Sequence, residues 1–444
     1  MKKIAIGLLF LSISIASFGQ QKKWTLTECV THALENNISV LQSELNLEAT
    51  DIDRLDALGN FLPSLNGSAS LSENTGLSLN PTTNQLENTT FLSASGSINM
   101  GYTVFDGLRN FRQVERAKMS KLAAQYNLDK MKDDISLFVA NGFLQVLLNK
   151  ANLEVIQAQN AVTLEQIART QQLVDGGVLP RGDLLEIQAT DASEKQSIAV
   201  SENTVKISLI SLAQLLRIQD YENFDILDET YDIVNAEIAD KPIDELIDAA
   251  KENRSEVKIA QQNLNISQKD LQISRGAYYP TINAFFGYNT RFAESTIPGA
   301  PGFKDQLYLN DGIGYGFQLN VPIFNGFATR NNVKRNKIQV DRSNLNLEQA
   351  KLDLESNVYQ AYVDAKGAKK SFEAAQKASE SQELAYQYAK DRYDVGITNA
   401  FDFSQSKLRF DNAQIELNRA KYDYIFKLKV LELYFGVPAT ELKF

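Results

Sequence analysis

The side chains of this sequence that could do chemistry are mostly carboxylates, and two of them stand in matching places. Asp183 follows Gly177 by six positions and Asp402 follows Gly396 by six, and in both places one helical pattern stops and another begins. An aspartate after a glycine-containing turn favours a helix N-cap, because its carboxylate accepts hydrogen bonds from the free amides of the first turn. Carboxylates gathered near one axis would also attract cations. Capping alone and capping combined with gating both remain open.

Catalysis and metal binding have little support. His32 is the only histidine and Cys29 the only cysteine, which excludes a histidine-based triad, a clustered histidine metal site and an internal disulfide. The sequence has no glycine-rich phosphate loop. Its carboxylates lie mostly along helical stretches, where a solvated face is the ordinary interpretation. We therefore predict no enzyme, no metal site and no cofactor. A hydrolase with paired carboxylates is a weaker alternative, since no spacing singles out such a pair.

A basic cluster follows each predicted hairpin and begins a predicted helix. Cations near a helix N-terminus oppose the helix macrodipole, so something should offset them. Anionic lipid head groups at a membrane interface are one interpretation, and an ordinary solvated face is the other. The clusters consist of Arg109, Arg112, Arg116 and Lys118 in the first half and of Arg330, Lys334, Arg335 and Lys337 in the second.

These residues belong to two similar halves of the chain. Gly-Asn-Phe-Leu-Pro-Ser-Leu-Asn at 59–66 is matched 217 positions later by Gly-Ala-Tyr-Tyr-Pro-Thr-Ile-Asn at 276–283. Val-Phe-Asp-Gly at 104–107 recurs as Ile-Phe-Asn-Gly at 323–326, and the glycine and aspartate at 177 and 183 recur at 396 and 402. This period exceeds the roughly 20 to 50 residues of solenoid repeats, so a pseudo-twofold chain is predicted. The predicted domains are a first repeat at 20–217, an inter-repeat linker at 218–242, a second repeat at 243–437 and a C-terminal tail at 438–444.

The N-terminus predicts export. Lys2 and Lys3 precede an apolar run from Ile4 to Phe18, and small residues near Gly19 fit a signal-peptidase site, so 1–19 is interpreted as a signal peptide. The run is shorter than the about 18 to 20 apolar residues of a membrane-spanning helix. The net charge of −10, which becomes −12 without the two lysines, disfavours nucleic acid as a partner.

Four stretches alternate with a period of two, at 65–72, 92–104, 282–288 and 313–323. Apolar residues on one face and Ser, Asn, Thr, Gly or Gln on much of the other predict half-exposed strands. Polar segments with proline and glycine at 73–90 and 291–311 predict two hairpins with long loops. A small soluble antiparallel sheet is the alternative. Four strands cannot close a transmembrane barrel, which begins at about eight, and open edges are not tolerated in lipid. Several chains would therefore share one barrel.

Two unusually long helices are predicted at 108–174 and 328–392, each of about 100 Å at 1.5 Å per residue. No proline occurs between Pro81 and Pro180 or between Pro322 and Pro438. Shorter helices are predicted at 25–58, 183–217, 243–275 and 402–435. Apolar or small residues in heptad steps predict coiled-coil seams along both long helices. They are Leu128, Ile135, Val139, Gly142 and Val146 in the first and Leu347, Leu354, Val358, Ala361 and Ala365 in the second.

In this order the residues resemble the TolC family of outer-membrane efflux proteins, from position 24 to about 437. The most specific local signature is the run Arg-Tyr-Asp-Val-Gly-Ile at 392–397 continuing to Asp402, echoed at 174–183. The resemblance implies a mixed α and β fold, in which three chains build a twelve-strand transmembrane barrel, four strands from each, and a twelve-helix periplasmic tunnel.

The function implied by this resemblance is a passive exit duct in the outer membrane of a Gram-negative bacterium, with a large periplasmic part. The duct would serve a tripartite efflux or type I secretion system. The implied partners are two further copies of the chain, a periplasmic adaptor, an inner-membrane transporter and outer-membrane lipids. A soluble periplasmic coiled-coil scaffold is the alternative function.

The resemblance also implies site residues. Asp183, Tyr393 and Asp402 match the family's periplasmic aperture, where a tyrosine and an arginine near the second turn bond an aspartate near the first. Thr398 stands in the place of that arginine and Gln405 in that of a further aspartate, so the expected latch lacks one charged partner. Packing in a helix interface is the alternative for Tyr393. The turn residues expected to dock the adaptor are Gly176, Gly177, Val395 and Gly396.

Overall fold

The computed structural model describes residues 22–79, 86–228, 241–294 and 299–437. The predicted signal peptide, the predicted C-terminal tail and positions 229–240 of the predicted linker lie outside these residues. The described residues form two compact units. One unit comprises the residues up to Leu45, Tyr126–Val257 and the residues from Ala350 onward, and the other comprises Asn46–Gln125 and Lys258–Gln349.

The elements of the first half follow the predicted order. They are β1 (Lys23–Trp24), α1 (Leu26–Asn36), α2 (Ile38–Gly59), β2 (Ser64–Leu79), β3 (Leu86–Phe105), α3 (Arg109–Asp175) and α4 (Arg181–Leu215). A two-residue strand, β4 (Asp225–Ile226), lies within the predicted linker and pairs in parallel with β1.

The second half repeats this order, with helices of nearly the same lengths, shorter strands and one additional short helix. Its elements are α5 (Ile243–Asn253), α6 (Ser255–Gly276), β5 (Thr281–Ala293), α7 (Phe303–Leu309), β6 (Gly312–Asn320), α8 (Ala328–Asp394) and α9 (Ala400–Phe435). Helices α1 and α5 have 11 residues each, α2 and α6 have 22, and α3 and α8 have 67. The exact repeat boundaries stay a prediction.

The first predicted helix of each half is in fact two helices. The breaks fall at Asn37 and Arg254, where ψ is 132° and 133°. Asn37 accepts a hydrogen bond from the Ser39 amide at 2.9 Å, and its own amide group donates to the carbonyl of Leu215, also at 2.9 Å. Arg254 is 5% exposed and pairs with Asp133 at 3.1 Å. Because the partners Leu215 and Asp133 are distant in sequence, the local helical pattern did not locate these breaks.

The four predicted strands form one antiparallel sheet in the order β2-β3-β5-β6. Its register gives one apolar face: Leu65 pairs with Met100, Met100 with Phe286, and Phe286 with Tyr315. The opposite face carries a ladder of hydroxyl pairs between β2 and β3, with Oγ–Oγ distances of 2.7–2.8 Å. These pairs are Ser68 with Ser97, Ser70 with Ser95 and Ser72 with Ser93. The predicted alternation is thus confirmed across all four strands.

The loops and the last strand differ from the prediction. Strand β2 ends at Leu79 and strand β3 begins at Leu86, so most of the predicted loop at 73–90 belongs to the two strands. The second connection contains the short helix α7, held to β5 by a 2.7 Å hydrogen bond from Thr290 to the carbonyl of Leu307. Strand β6 ends at Asn320 instead of continuing to 323, because Pro322 has no backbone N–H to donate.

The long helices bury the predicted heptad positions. Nine of the ten predicted seam residues are buried apolar side chains, all except Gly142. A Cβ built on Gly142 would meet Leu212 of α4 at 3.4 Å, so glycine there permits close helix packing. The helices of the described ranges include none that is both long and apolar enough to cross a membrane.

Candidate functional site at the two helix turns

The turns that join α3 to α4 and α8 to α9 have the same hydrogen bonding. In the first, the amide of Gly177 donates to the carbonyl of Val174 at 3.0 Å and that of Val178 to Leu173 at 2.8 Å. In the second, Gly396 donates to Tyr393 at 3.0 Å and the amide at position 397 to the carbonyl at position 392 at 2.9 Å. Both are Schellman motifs, which close a helix C-terminus with a residue of positive φ. Gly177 and Gly396 supply it, with φ of 73° and 75°.

Asp183 and Asp402 are not helix caps, so the capping interpretation is wrong. The N-cap of α4 is Pro180 and that of α9 is Asn399, whose side chain accepts from the Asp402 amide at 2.8 Å. Both aspartates lie in the first helical turn, where a carboxylate interacts favourably with the positive end of the macrodipole. Asp402 is exposed and accepts a hydrogen bond from the Thr398 hydroxyl at 3.2 Å, while Asp183 is half-buried.

Tyr393 is buried among the side chains of its own chain. It is 2% exposed, its ring stacks on Phe403 of α9 at 5.1 Å, and its hydroxyl shares a 2.8 Å hydrogen bond with Thr170 of α3. Burial raises the pKa of Tyr393, the bond to Thr170 opposes this rise, and the carboxylate of Asp183 adds to it. The structure thus brings Asp183 near Tyr393, although the hydroxyl bonds Thr170. An aromatic and aliphatic core surrounds it, composed of Ile187, Tyr386, Ala400, Phe403 and Phe410.

An ion pair beside this core was not identified from the sequence. Arg169 of α3 lies 3.2 Å from the carboxylate of Asp394 at the end of α8, and it also donates to the Asp394 carbonyl at 3.3 Å. This ion pair joins the ends of the two long helices. In the resembled family an arginine at the place of Thr398 would join the two turns in a similar way. Arg169 is a single arginine in the last two turns of α3, and no local sequence pattern indicates that it forms this ion pair.

A buried ionic cluster lies further from the turns and was also missed. Lys407 of α9 is 2% exposed and donates to Glu194 of α4, and its ammonium group lies 3.6 Å from Asp411. Glu194 accepts two further hydrogen bonds from α3, each of 3.0 Å, from Asn160 and Thr163. The cluster therefore connects three helices through charged groups. A lysine and an aspartate four positions apart on a helix resemble an ordinary surface pair, so no local pattern predicts that they are buried.

The predicted docking tips are exposed and carry apolar side chains. Gly176 and Gly177 are exposed, as are Val395 and Gly396. Val178 is 67% exposed and Ile397 is 68% exposed beside them. A Cβ built on Gly177 or Gly396 would meet no atom of the described residues within 4 Å. Positive φ, and not lack of space, is thus the reason that a larger residue is unfavourable in these turns.

The first basic cluster makes its contacts within the chain. Asp106 is 8% exposed and accepts hydrogen bonds from the amides of Arg109 and Asn110 at 3.0 and 2.9 Å. This carboxylate is the group that offsets the cations at the start of α3. Arg112 donates to the carbonyl of Gln272 at 2.7 Å, and Arg116 forms a 2.6 Å ion pair with Asp270. These three arginines therefore have structural roles that need no lipid.

The second basic cluster is different, since Arg330, Lys334 and Arg335 are all exposed. Arg330 lies over the ring of Phe327 at 5.8 Å, and no ion pair of these three residues occurs among the described residues. The symmetry of the two halves is thus not preserved in the contacts of their basic residues. Arg116 and Lys118 of the first cluster are exposed as well, so both clusters present charge to the surroundings, and the second does so without an ion pair among the described residues.

The fold that carries these turns, a four-stranded antiparallel sheet with two 67-residue helices, matches the fold of solved outer-membrane channels. The solved outer membrane channel CmeC of Campylobacter jejuni superimposes with a TM-score of 0.79 at 17% identity, over 93% of this chain and 85% of that chain. The chain belongs to the outer membrane efflux protein family, whose model matches residues 29–216 and 246–437, one stretch in each half.

Two relatives of similar sequence support the same class of protein. The outer membrane protein TolC of Vibrio cholerae is 23% identical over 430 residues, which are 96% of this chain and 93% of the relative. The alkaline protease secretion protein AprF of Pseudomonas aeruginosa is 21% identical over 345 residues, 74% of this chain and 66% of the relative. The chain is therefore an outer-membrane channel of the efflux and type I secretion class, with a periplasmic tunnel. Family membership favours this function over the soluble scaffold and places the chain in a transport family.

Proposed function

We propose that three copies of this chain form one twelve-strand barrel and one twelve-helix tunnel, and that this trimer is the exit duct of a tripartite efflux pump or type I secretion system. The unpaired edges of the sheet are the main support for this proposal. Among the described residues, β2 and β6 each pair on one side only. An unpaired backbone group in hydrocarbon costs several kcal/mol. Three sheets joined edge to edge leave none unpaired and exceed the about eight strands that a barrel needs.

The two faces of the sheet support the same assembly. Tyr315 and Phe317 of β6 are 78% and 76% exposed, and Leu65 of β2 is 70% exposed. Lipid is the environment in which such side chains are stable without a protein partner. The hydroxyl ladder on the other face would line a water-filled interior. All four strands have at least 9 residues, which is the about 9 to 11 that a tilted membrane strand requires.

The partners belong to the same proposal. An adaptor with a helical hairpin would dock at Gly176, Gly177, Val395 and Gly396, since Val178 and Ile397 offer exposed apolar contacts there. An inner-membrane transporter would supply the cargo, and anionic lipid head groups would meet the exposed Arg330, Lys334 and Arg335. The Pseudomonas relative is a protease secretion protein by name, which supports protein as one class of cargo.

The aperture is proposed at Asp183, Tyr393 and Asp402. The exposed Asp402 and the half-buried Asp183 would provide six carboxylates around the axis of a trimer. Tyr393 would act from behind them, because its bond to Thr170 holds α8 to α3. A transport role without catalysis completes the proposal, supported by a sequence whose only histidine is His32.

Sheet closure is tested by disulfide cross-linking in the Cys29→Ala background, which has no other cysteine. A cysteine replaces Ser70 on β2, and a second replaces Gly314, Gly316 or Gln318 on β6, all on the hydroxyl face. We expect oxidation to link three chains in at least one pair, and light scattering in mild detergent to give a trimer mass. The control pair, Ser70→Cys with Ser95→Cys, should cross-link within one chain, because their Oγ atoms are 2.7 Å apart. A monomer mass with no interchain bond at any position would refute the proposal.

A further inference from the structure

The hydroxyl face of the sheet has one charged side chain in the described stretch where β3 pairs with β5, from Ser93 to Thr103. All other residues of this face on the four strands are serine, threonine, asparagine, glutamine, glycine, alanine or phenylalanine there. The exception is Arg291 of β5, which pairs with Ser95 of β3. Ser95 belongs to the hydroxyl ladder through its bond to Ser70, and directly paired residues project to the same face. Arg291 therefore lies on the hydroxyl face.

The charge of Arg291 is not paired in the described part of the chain. Its side chain is exposed, and no hydrogen bond or ion pair of its guanidinium group occurs among the described residues. The nearest following carboxylate, Glu294, accepts a hydrogen bond from the Leu92 amide at 3.3 Å instead. A guanidinium group stays charged in proteins and has five N–H donors. These donors are therefore available to water and to anions.

The part of the hydroxyl face beside Arg291 consists of small or flattened groups. Strand β6 has glycine at each of positions 312, 314 and 316 on this face. Asn289 of β5 lies over Gly312, where an added Cβ would meet the Oδ1 atom of Asn289 at 3.2 Å. Phe285 lies over Gly316 in the same way, since an added Cβ would meet its ring at 3.2 Å. A solute that moves along this face would therefore meet a neutral surface and one guanidinium group.

Helix α7 packs on the opposite side of the sheet. Thr290 and Phe292, which flank Arg291 in β5, project to the apolar face, because successive side chains of a strand alternate. Both contact α7: the Thr290 hydroxyl donates to its backbone at 2.7 Å, and the ring centroids of Phe292 and Phe303 are 5.0 Å apart. Lys304 is an exposed cation of this helix. This region of the sheet thus has one cation on each side, Arg291 on the hydroxyl face and Lys304 on α7.

We propose that three Arg291 guanidinium groups, one from each chain, form an anion-attracting ring inside the barrel and bind polyvalent anions, such as phosphate-bearing solutes, as these pass through. This inference rests on the proposed trimer, whose interior the hydroxyl face would line. A ring of arginines in a pore attracts anions, and a planar guanidinium group matches the oxygens of phosphate and carboxylate. The sign of this ring is opposite to that of the carboxylates proposed at the aperture. The two rings therefore oppose each other in the ion selectivity of the channel.

The test is the ionic current through the full-length protein in planar bilayers. Arg291→Gln should raise the ratio of potassium to chloride permeability, measured as the reversal potential in a KCl gradient, by about twofold or more, because the positive ring is lost. The concentration of inorganic triphosphate that halves the current should rise by about tenfold. This block should be stronger from the chamber that faces the hairpin loops. Arg291→Lys keeps the charge and should preserve most of the selectivity, with weaker triphosphate block because the planar fork is absent.

Lys304→Gln is the matched control, because it removes one exposed cation on the other side of the same region. It should leave both the permeability ratio and the triphosphate block unchanged. Trimer mass should be the same in all these variants, since Arg291 and Lys304 are exposed. An equal effect of Lys304→Gln and Arg291→Gln would overturn the proposal, because the effect would then come from surface charge in general.

A thiol beside Arg291 measures the local potential directly. Ser95→Cys in the Cys29→Ala background places the only cysteine opposite Arg291. We expect a negatively charged methanethiosulfonate to react faster than a positively charged one, and Arg291→Gln to lower this rate ratio by about threefold or more. Trimeric pores with unaltered selectivity, block and rate ratio in Arg291→Gln would overturn this inference and leave the trimer intact. Absence of a trimer would overturn both.

Discussion

The carboxylates of Asp183 and Asp402 contribute to helix stability and, in the proposed channel, to ion selectivity. Each stands in the first turn of a helix, where the macrodipole stabilises a negative charge by about 0.3 to 1 kcal/mol. Neither accepts the capping bonds that the sequence suggested, so their charge is available to ions. The capping is done by Asn399 in α9, while Pro180 at the N-cap of α4 has no side chain that accepts such a bond.

The double variant Asp183→Asn with Asp402→Asn should weaken cation selectivity in planar bilayers and reduce block by multivalent cations, because it removes the charge of the proposed ring. The free energy of unfolding should fall by only about 0.6 to 2 kcal/mol, the loss of two dipole interactions. Glu373→Gln with Glu380→Gln, exposed carboxylates of α8, is the matched control and should leave selectivity unchanged. Unaltered selectivity in the aspartate variant would show that the constriction lies elsewhere.

The helices meet at turns whose geometry depends on one glycine each. Two Schellman motifs close α3 and α8, and the returning helices begin only a few residues later. Behind the turns, Arg169 holds Asp394, and Thr170 holds Tyr393, so the ends of α3 and α8 are joined by an ion pair and a buried hydrogen bond. These contacts are adjacent in sequence and act together. Local helix closure and long-range packing thus reinforce each other at the same place.

Alanine at Gly177 or Gly396 should destabilise the turn by about 1 to 2 kcal/mol, because an L-residue pays for a left-handed conformation. The measurement is the unfolding temperature of the helical signal in detergent. Gly367 is the matched control: it lies on the exposed surface inside α8, and an added Cβ meets no described atom within 4 Å. Alanine there should stabilise the protein by about 0.5 to 1 kcal/mol. Equal effects at the three positions would contradict this account of the turns.

The part of the chain that the structure describes combines a sheet with two unpaired edges, helix tips with exposed apolar side chains and a basic cluster that forms no ion pair there. These three surfaces are the ones for which the proposed trimer, adaptor and lipids would provide contacts. The three arginines of the first basic cluster have no such need, since Asp106, Gln272 and Asp270 already bind them. The two halves of the chain have therefore diverged in what they leave exposed, although their main helices match in order and length.

Docking at the tips is tested by replacing Val178, Val395 and Ile397 together with aspartate. We expect export to fall by about tenfold or more, because charge disfavours burial of this surface against an adaptor. Trimer mass and outer-membrane insertion should be unchanged, since all three side chains are exposed. Gln172→Asp adds charge at the same tip without removing an apolar group and should preserve most export. Full export by the triple variant would exclude docking at this surface.

Local patterns in the sequence were sufficient for the order, type and approximate length of the main elements. Period-two alternation reports which side of a strand is apolar, heptad spacing reports a helix seam, and glycine before aspartate marks a reversal. Each of these signals is a property of neighbouring residues. The sheet faces, the heptad burial and both Schellman turns were predictable for that reason.

Tertiary structure decided the features whose partners are far apart in the chain. The break at Asn37 depends on Leu215, and the burial of Lys407 depends on Glu194, which lies 213 positions away. Tyr393 was placed at the aperture by resemblance, but its hydroxyl bonds Thr170, 223 positions away. Whether a charged or aromatic side chain is buried depends on which helix faces meet it. That arrangement depends on packing between distant segments, for which a single sequence carries no local signal.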